Sequence, residues 1–201
     1  QTACWFWVQR KTSKGTLIMM VADTTVKNEI LGLFAQLLSY PSESYKSSCA
    51  ELQNYLSDYP EEKQQFDKFA DFVMDSKLSK IEELYTVSFD MNPSTCFEIG
   101  WHLYGEAYQR GEFLVKVRVL LRKDNIKESV ELPDHISHCL LILYLSKNEK
   151  DKNFVGYSTC KGLSKIMESL DKENPYYPAI ITLNNILTKQ FQFSEEPHGQ
   201  L

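Results

Sequence analysis

The chain has 201 residues, 43% hydrophobic and 24% charged, which is the composition of an ordinary globular protein. A chain of this length most simply forms one domain around a single core. The net charge of −5 excludes the strongly basic surface that a nucleic-acid-binding protein presents. The sequence contains no apolar run near the roughly 20 residues that span a bilayer, so we expect no direct membrane insertion.

The five cysteines are odd in number and widely scattered, and none belongs to a CxxC pair. This pattern is untypical of a disulfide framework or a zinc module and favours reduced thiols. We therefore expect a cytoplasmic protein.

The first twenty residues place a short aromatic patch before Arg10, Lys11 and Lys14, which reverses the order of a secretory signal. We expect residues 1–20 to be a non-native or disordered extension. The helical domain is expected over residues 21–191, with a flexible tail at 192–201.

Apolar residues recur at helical spacing through most of the chain, which predicts an all-α, single-domain bundle of about nine helices. Thr24 or Thr25 can cap the first helix, and Pro41 and Pro60 end the first two, because the residue before a proline disfavours helical geometry. The polar stretch Ser146–Asn153 is expected to be a flexible hinge. The helices are expected over residues 26–38, 45–56, 61–73, 81–89, 96–110, 113–121, 133–145, 155–170 and 175–189.

One aromatic face stands out in the predicted fifth helix, where Phe97, Trp101, Tyr104 and Tyr108 recur at helical spacing. Such a face is most often core. Tyrosine also suits a partly exposed groove, because its apolar ring carries a polar tip. The face therefore has two interpretations, core packing or a groove for an apolar or amphipathic peptide.

Polar residues on the same predicted helix could form a pair or a site. Glu98 and His102 are four residues apart and are expected to pair, and Gly105 would allow close approach of a ligand or backbone. Cys96 and His102 are expected on different faces of the helix, which argues against a nucleophilic pair.

Nucleotide-binding and metalloprotease motifs are absent, as is the GxSxG motif of hydrolases. His135, His138 and Cys139 are the best metal candidates, but exposed histidines and a buried cysteine near a helix start explain them more simply. Pro133 and Asp134 likewise suit a first helical turn. The alternatives left open are a metal- or nucleotide-handling enzyme that uses this cluster with His102, and a helical scaffold with an unrelated partner.

Several short motifs, taken in order, resemble the TorD/DmsD/NarJ family of redox-enzyme maturation chaperones, and most closely its NarJ-type nitrate reductase assembly chaperones. The similarity covers roughly residues 25–190 and depends on order and spacing more than on any single motif. The motifs are Leu38-Ser39-Tyr40-Pro41, Tyr85-x3-Phe89-Asp90, His102-Leu103-Tyr104-Gly105, Arg110-Gly111-x2-Leu114 and Leu132-Pro133-Asp134-His135.

The resemblance implies a non-catalytic, all-α chaperone for the catalytic subunit of a molybdenum oxidoreductase of the dimethyl-sulfoxide-reductase type. Such a protein binds the N-terminal segment of its client, often a twin-arginine leader. It holds this segment until molybdopterin guanine dinucleotide is inserted, before export or membrane attachment. The client carries the cofactor, and the chaperone binds none stably. Exchange of C-terminal helices at Ser146–Asn153 could give a domain-swapped dimer in place of a monomer.

The resemblance and the aromatic groove together imply a set of client-binding residues and no catalytic residue or metal ligand. Asp134 and His135 are the first expected partner contacts, while Asp90, Glu98 and Asp134 are expected to attract arginines of the leader. The full set is Tyr85, Phe89, Asp90, Glu98, Trp101, His102, Tyr104, Arg110, Pro133, Asp134 and His135.

Overall fold

A computed structural model describes residues 28–190 and confirms the all-α class. This part of the chain forms nine α-helices and no strand. A 3-10 turn (Leu56–Asp58) follows α2, and a π-helical turn (Thr86–Asp90) follows α4. The helices are α1 (residues 28–37), α2 (Tyr45–Tyr55), α3 (Pro60–Asp75), α4 (Leu78–Tyr85), α5 (Ile99–Tyr104), α6 (Tyr108–Lys123), α7 (Ile136–Leu145), α8 (Glu149–Ser169) and α9 (Tyr177–Gln190).

All nine helices of residues 28–190 contribute buried apolar side chains to one core. Helix α3 packs on α2 and α9, and α8 packs on α5, α7 and α9. Helix α1 is buried on most of its sides, as is α7, whose apolar sequence predicted a central position. Tyr45 at the start of α2 links two elements of this core, because its hydroxyl donates to the Leu37 carbonyl at 2.7 Å and lies 3.0 Å from the Tyr176 hydroxyl.

Helix starts follow the local sequence signals. Pro60 occupies the first turn of α3 and is followed by Glu61 and Glu62, whose charges suit the positive end of the helix. Asn148 caps α8, because its side-chain oxygen accepts hydrogen bonds from the backbone N–H groups of Lys150 and Asp151. These short-range interactions explain why the local sequence alone marks the starts of α3 and α8.

The predicted helix over 96–110 is wrong in its bounds. Helix α5 begins at Ile99 and ends at Tyr104. The next residue, Gly105, has a φ of +58° that only glycine adopts at low cost. A new helix, α6, then begins at Tyr108. Arg110 and Gly111, which were expected to join two helices, therefore lie inside α6.

Two other expected boundaries also differ. Of the stretch 146–153, where a hinge was predicted, only residues 146–148 are outside a helix, because Asn148 caps α8 and the helix begins six residues earlier than its apolar pattern indicates. Helix α7 begins at Ile136, and the preceding Leu132–His135 segment forms a turn in which the His135 N–H donates to the Leu132 carbonyl at 3.0 Å. Pro133 and Asp134 thus lie outside the helix that they were expected to open.

The expectations for Thr24 and Thr25, for the 1–20 extension and for the 192–201 tail fall outside the described residues. Within 28–190 no helix is both long and apolar enough to cross a bilayer. The four cysteines of this region, Cys49, Cys96, Cys139 and Cys160, are free thiols.

Candidate functional site

Two short segments, far apart in the sequence, meet in an antiparallel bridge at the start of α5. The Ile99 N–H donates to the Asp134 carbonyl at 2.9 Å, and the Ile136 N–H donates to the Phe97 carbonyl at 2.8 Å. Glu98 is thereby paired with His135. This bridge brings the Leu132–His135 motif against the aromatic segment, which local sequence patterns could not predict.

The carboxyl group of Asp134 is buried beneath this bridge. Its side chain is fully inaccessible to solvent, and Oδ2 accepts a hydrogen bond from the Gly100 N–H at 3.0 Å. Arg110 Nε lies 3.8 Å from the same oxygen. A Cβ atom on Gly100 would lie only 2.6 Å from Oδ2, so the absence of a side chain at Gly100 is what lets Asp134 approach.

Arg110 connects the buried carboxyl to the surface. Its guanidinium lies over the Trp101 ring, 5.3 Å from the centroid, and its side chain is 24% exposed. The Trp101 indole N–H donates to the Pro93 carbonyl at 2.9 Å, which fixes the ring. Arg110 thus lies between the Asp134 carboxyl group and the Trp101 ring and forms one wall of the site.

An open cavity of about 260 Å³ lies beside this wall. It is bounded by the π-helical turn, by the loop before α5 and by α6. Four of its six lining residues, Asp90, Glu98, Trp101 and Arg110, were predicted from the sequence; the lining comprises Asp90, Pro93, Cys96, Glu98, Trp101 and Arg110.

Carboxylate groups outnumber basic groups around this cavity. Burial raises the pKa of Asp90, and the nearby Glu98 carboxylate raises it further. Burial also raises the pKa of Glu131, with repulsion from Glu98 and Asp90. Carboxylates that repel one another in this way are stabilised by a bound cation. The positive charge of Arg110 only partly balances these carboxylates, because its guanidinium already faces Asp134.

Asp134 and His135, the first expected partner contacts, are 0% and 3% exposed, and Pro133 is also buried. Atoms at this depth cannot touch a peptide on the surface. The physical reason is the bridge, which turns the motif inward against α5. Tyr85 and Phe89 are likewise core residues: Phe89 stacks on Phe97 with centroids 4.0 Å apart. These buried residues do not line the cavity; they pack behind its walls.

His102 does not occupy the position that its sequence spacing predicted. Its Nε2 lies 2.7 Å from the Cys96 carbonyl oxygen and 3.8 Å from the Cys96 Sγ. The expected pairing with Glu98 assumed one continuous helix, but Glu98 precedes α5 in an extended conformation. Cys96 and His102, which were expected on different faces of one helix, are therefore neighbours. Burial and the adjacent Glu98 raise the pKa of the Cys96 thiol to about 12, so it is protonated and poorly nucleophilic.

The predicted aromatic face is divided by the break at Gly105. Phe97 is buried, Trp101 and Tyr104 are half-buried, and Tyr108 on α6 is 81% exposed. The core interpretation therefore applies to Phe97, and only Trp101 lines the cavity.

The two histidines of the predicted metal cluster are buried and engaged in hydrogen bonds, so the expectation of exposed histidines is wrong. His138 Nε2 accepts from the Ser129 N–H at 3.0 Å, and its Nδ1 lies 2.9 Å from the Leu132 carbonyl oxygen. His135 Nδ1 accepts from the Ser137 N–H and caps α7. Within residues 28–190 the His, Cys, Asp and Glu side chains form no group of three or more able to hold a metal ion.

Sequence reasoning missed Pro93, Cys96, Gly100 and Glu131 as parts of the site. Gly100, a glycine directly before Trp101, carried a usable signal of close backbone approach. Pro93 contributes through its carbonyl and Glu131 through its charge, and neither belongs to a motif that could have marked it. Comparison of the chain with protein-family models gave no match, and comparison with curated proteins gave none either.

His135 makes stability pH-dependent. Burial lowers its pKa to about 3, so the folded protein keeps the ring neutral while the unfolded chain binds a proton near the ordinary value of 6.5. Below that value the unfolded state binds more protons, and the free energy of unfolding falls as the pH falls. We expect His135 to contribute a slope approaching about 1.4 kcal/mol per pH unit between about pH 6 and pH 3.5.

Urea unfolding at a series of pH values measures this slope. His135→Asn is the matched variant, because asparagine also caps helices but does not titrate. The slope of the variant should be smaller than that of the unmodified protein by about 1.4 kcal/mol per pH unit, which is the contribution of His135. Equal slopes in both proteins would contradict the role of His135.

Proposed function

We propose that the protein is an assembly chaperone that binds the N-terminal leader of a catalytic subunit of the dimethyl-sulfoxide-reductase family and holds it for insertion of the molybdenum cofactor. The observation that carries the proposal is the acidic cavity beside Trp101, which is lined by two positions of the family motifs, Asp90 and Arg110, and by Glu98. The resemblance supplies the identity of the client, and the cavity supplies a physical means of binding it.

Charge is the first element of recognition. Burial raises the pKa values of Asp90 and Glu131, and repulsion from the Glu98 carboxylate raises both further. A guanidinium group entering the cavity would relieve this repulsion and form charge-assisted hydrogen bonds. A leader with paired arginines is a ligand of this chemistry.

Apolar contact is the second element. Val87 and Met91, on and just after the π-helical turn that carries Asp90, are 59% and 73% exposed. Irregular π-helical turns of this kind are frequent at functional sites. An apolar stretch that follows the arginines of a leader would have these side chains to contact, directly beside the acidic cavity.

In this proposal the protein contributes binding alone. Holding the leader keeps the client from export or membrane attachment, while the client receives molybdopterin guanine dinucleotide. Asp134, His135 and Pro133 act as positioning residues, because they hold α5 and Arg110 in place without reaching the surface.

Calorimetric titration with a synthetic twin-arginine leader peptide tests the proposal. We expect the double variant Asp90→Asn, Glu98→Gln to lose about tenfold or more in affinity, since each neutralised charge pair contributes about 1 kcal/mol. The matched control is Glu51→Gln, Asp71→Asn, which removes two exposed carboxylates on α2 and α3, away from the cavity lining, and should bind normally.

Peptide variants separate this function from its alternatives. A leader whose two arginines are replaced by glutamine should bind weakly, and added salt should weaken the unmodified leader. A scrambled peptide of the same composition should also bind less well than the leader. Equal binding of the scrambled peptide would favour a general scaffold for basic segments, and unchanged affinity of the double variant would remove the cavity as the site.

A further inference from the structure

The outward face of α6 carries a regular row of side chains that the fold leaves accessible. Tyr108, Glu112, Val115, Val119 and Arg122 follow one another at intervals of four, three, four and three residues. At 3.6 residues per turn these positions form one narrow stripe along the helix. Tyr108, Val115 and Val119 are 81%, 61% and 55% exposed. We call this row the α6 seam.

The spacing of the α6 seam is that of the contact positions of a coiled coil, in which side chains of one helix insert between those of another. Val115 and Val119, at its centre, are β-branched residues that favour a helix less than most surface residues do. Within residues 28–190, neither packing nor helix propensity explains why these two side chains are exposed.

We propose that the α6 seam is the contact between two copies of this chain, packed antiparallel about a two-fold axis at the level of Val117. In this arrangement Val115 faces the partner's Val119, and Glu112 faces the partner's Arg122. Both pairs form twice, because a two-fold axis makes the interface self-complementary. A parallel arrangement would instead place Glu112 and Arg122 each against its own copy, where like charges repel.

The remaining basic side chains of α6 are engaged within their own chain. Arg118 Nε lies 2.9 Å from a Glu128 carboxylate oxygen, and Lys123 Nζ lies 2.5 Å from Asp151 Oδ2. Lys116 Nζ lies over an aromatic ring of α8, 3.7 Å from its centroid. These contacts draw the flanking positive charges away from the seam, so the two copies can approach without strong repulsion.

The size of the contact sets its strength. A single helix face of 16 residues gives an interface at or below the low end of the range for stable complexes. The dimer is therefore reversible and concentration-dependent. It also differs from a domain swap, because α8 and α9 remain packed on their own chain.

Sedimentation velocity of the full chain at about 1 to 200 µM tests the proposal, since weak dimers of this size dissociate in the micromolar range. We expect a shift from monomer to dimer across this range. Glu112→Arg and Arg122→Glu should each raise the dissociation constant by about tenfold, because each creates two repulsive contacts. The double variant carrying both changes exchanges the charges and should return the dissociation constant to that of the unmodified protein.

Val119→Asp serves as a second test, since it places a charge at the centre of the seam and should give a monomer at all these concentrations. Val119 and Arg122 are exposed and Glu112 is half-buried, and equal melting temperatures and circular dichroism spectra verify that the variants fold. The proposal is overturned if the unmodified chain stays monomeric, if a dimer forms that these changes leave intact, or if the charge-exchanged variant fails to recover.

Discussion

Replacing Gly100 with alanine should destabilise the protein by about 3 kcal/mol, which is a large effect for the addition of one methyl group. The new Cβ would lie 2.6 Å from Asp134 Oδ2 and 2.9 Å from Phe113 Cδ1. Both neighbours are buried, so neither can move aside without disturbing the core. Displacement of Asp134 would also lengthen its hydrogen bond to the Gly100 N–H. Urea unfolding measures the loss.

Gly111→Ala is the matched control, because Gly111 also lies within a helix but a Cβ atom added there would meet no atom within 4 Å. There the substitution should stabilise the protein by about 0.5 to 1 kcal/mol, since alanine loses less conformational freedom on folding. If both variants lost stability equally, the close approach at Gly100 would not be the cause.

Asp134→Ala should cost about 3 to 5 kcal/mol of unfolding free energy. The change leaves the Gly100 N–H without its acceptor and the Arg110 guanidinium without its carboxylate partner. Both groups lie at or near the buried end of the site, where water replaces lost partners poorly.

Asp134→Asn is expected to lie within about 1 kcal/mol of the unmodified protein. Burial raises the pKa of Asp134 and Arg110 lowers it, with burial the larger cause. A neutral amide therefore avoids the cost of a buried charge while its oxygen still accepts from Gly100. Equal losses for the alanine and asparagine variants, measured by urea unfolding near pH 7, would show that charge pairing dominates at this position.

Local sequence signals predict the number of helices and several of their ends. Pro60 and Glu61 mark the start of α3 because proline and acidic residues act within a single turn. The sequence marks Gly105 as a small residue but not as a helix end, since apolar spacing continues from Phe97 to Tyr108 across it. The positive φ of Gly105 separates α5 from α6, and no local spacing in the sequence marks it.

The sequence predicts which residues belong to the candidate site better than it predicts how they are arranged. Asp90, Glu98, Trp101 and Arg110 do line one cavity. For Asp134 the sequence indicates a surface position, because an acidic residue after proline usually begins a helix. Its actual position follows from Gly100 and Arg110, which are distant in sequence and unmarked by any spacing that joins them to it.

The bridge between the segments at Glu98 and His135 has a consequence for the order in which the molecule assembles. It closes a long loop, since Gly100 and Asp134 are 34 residues apart. Closing a flexible loop of this length costs about 3 kcal/mol or more of chain entropy. Packing of α6 against α7 offsets this cost, so we expect the walls of the cavity to come together late in folding, when these two helices dock.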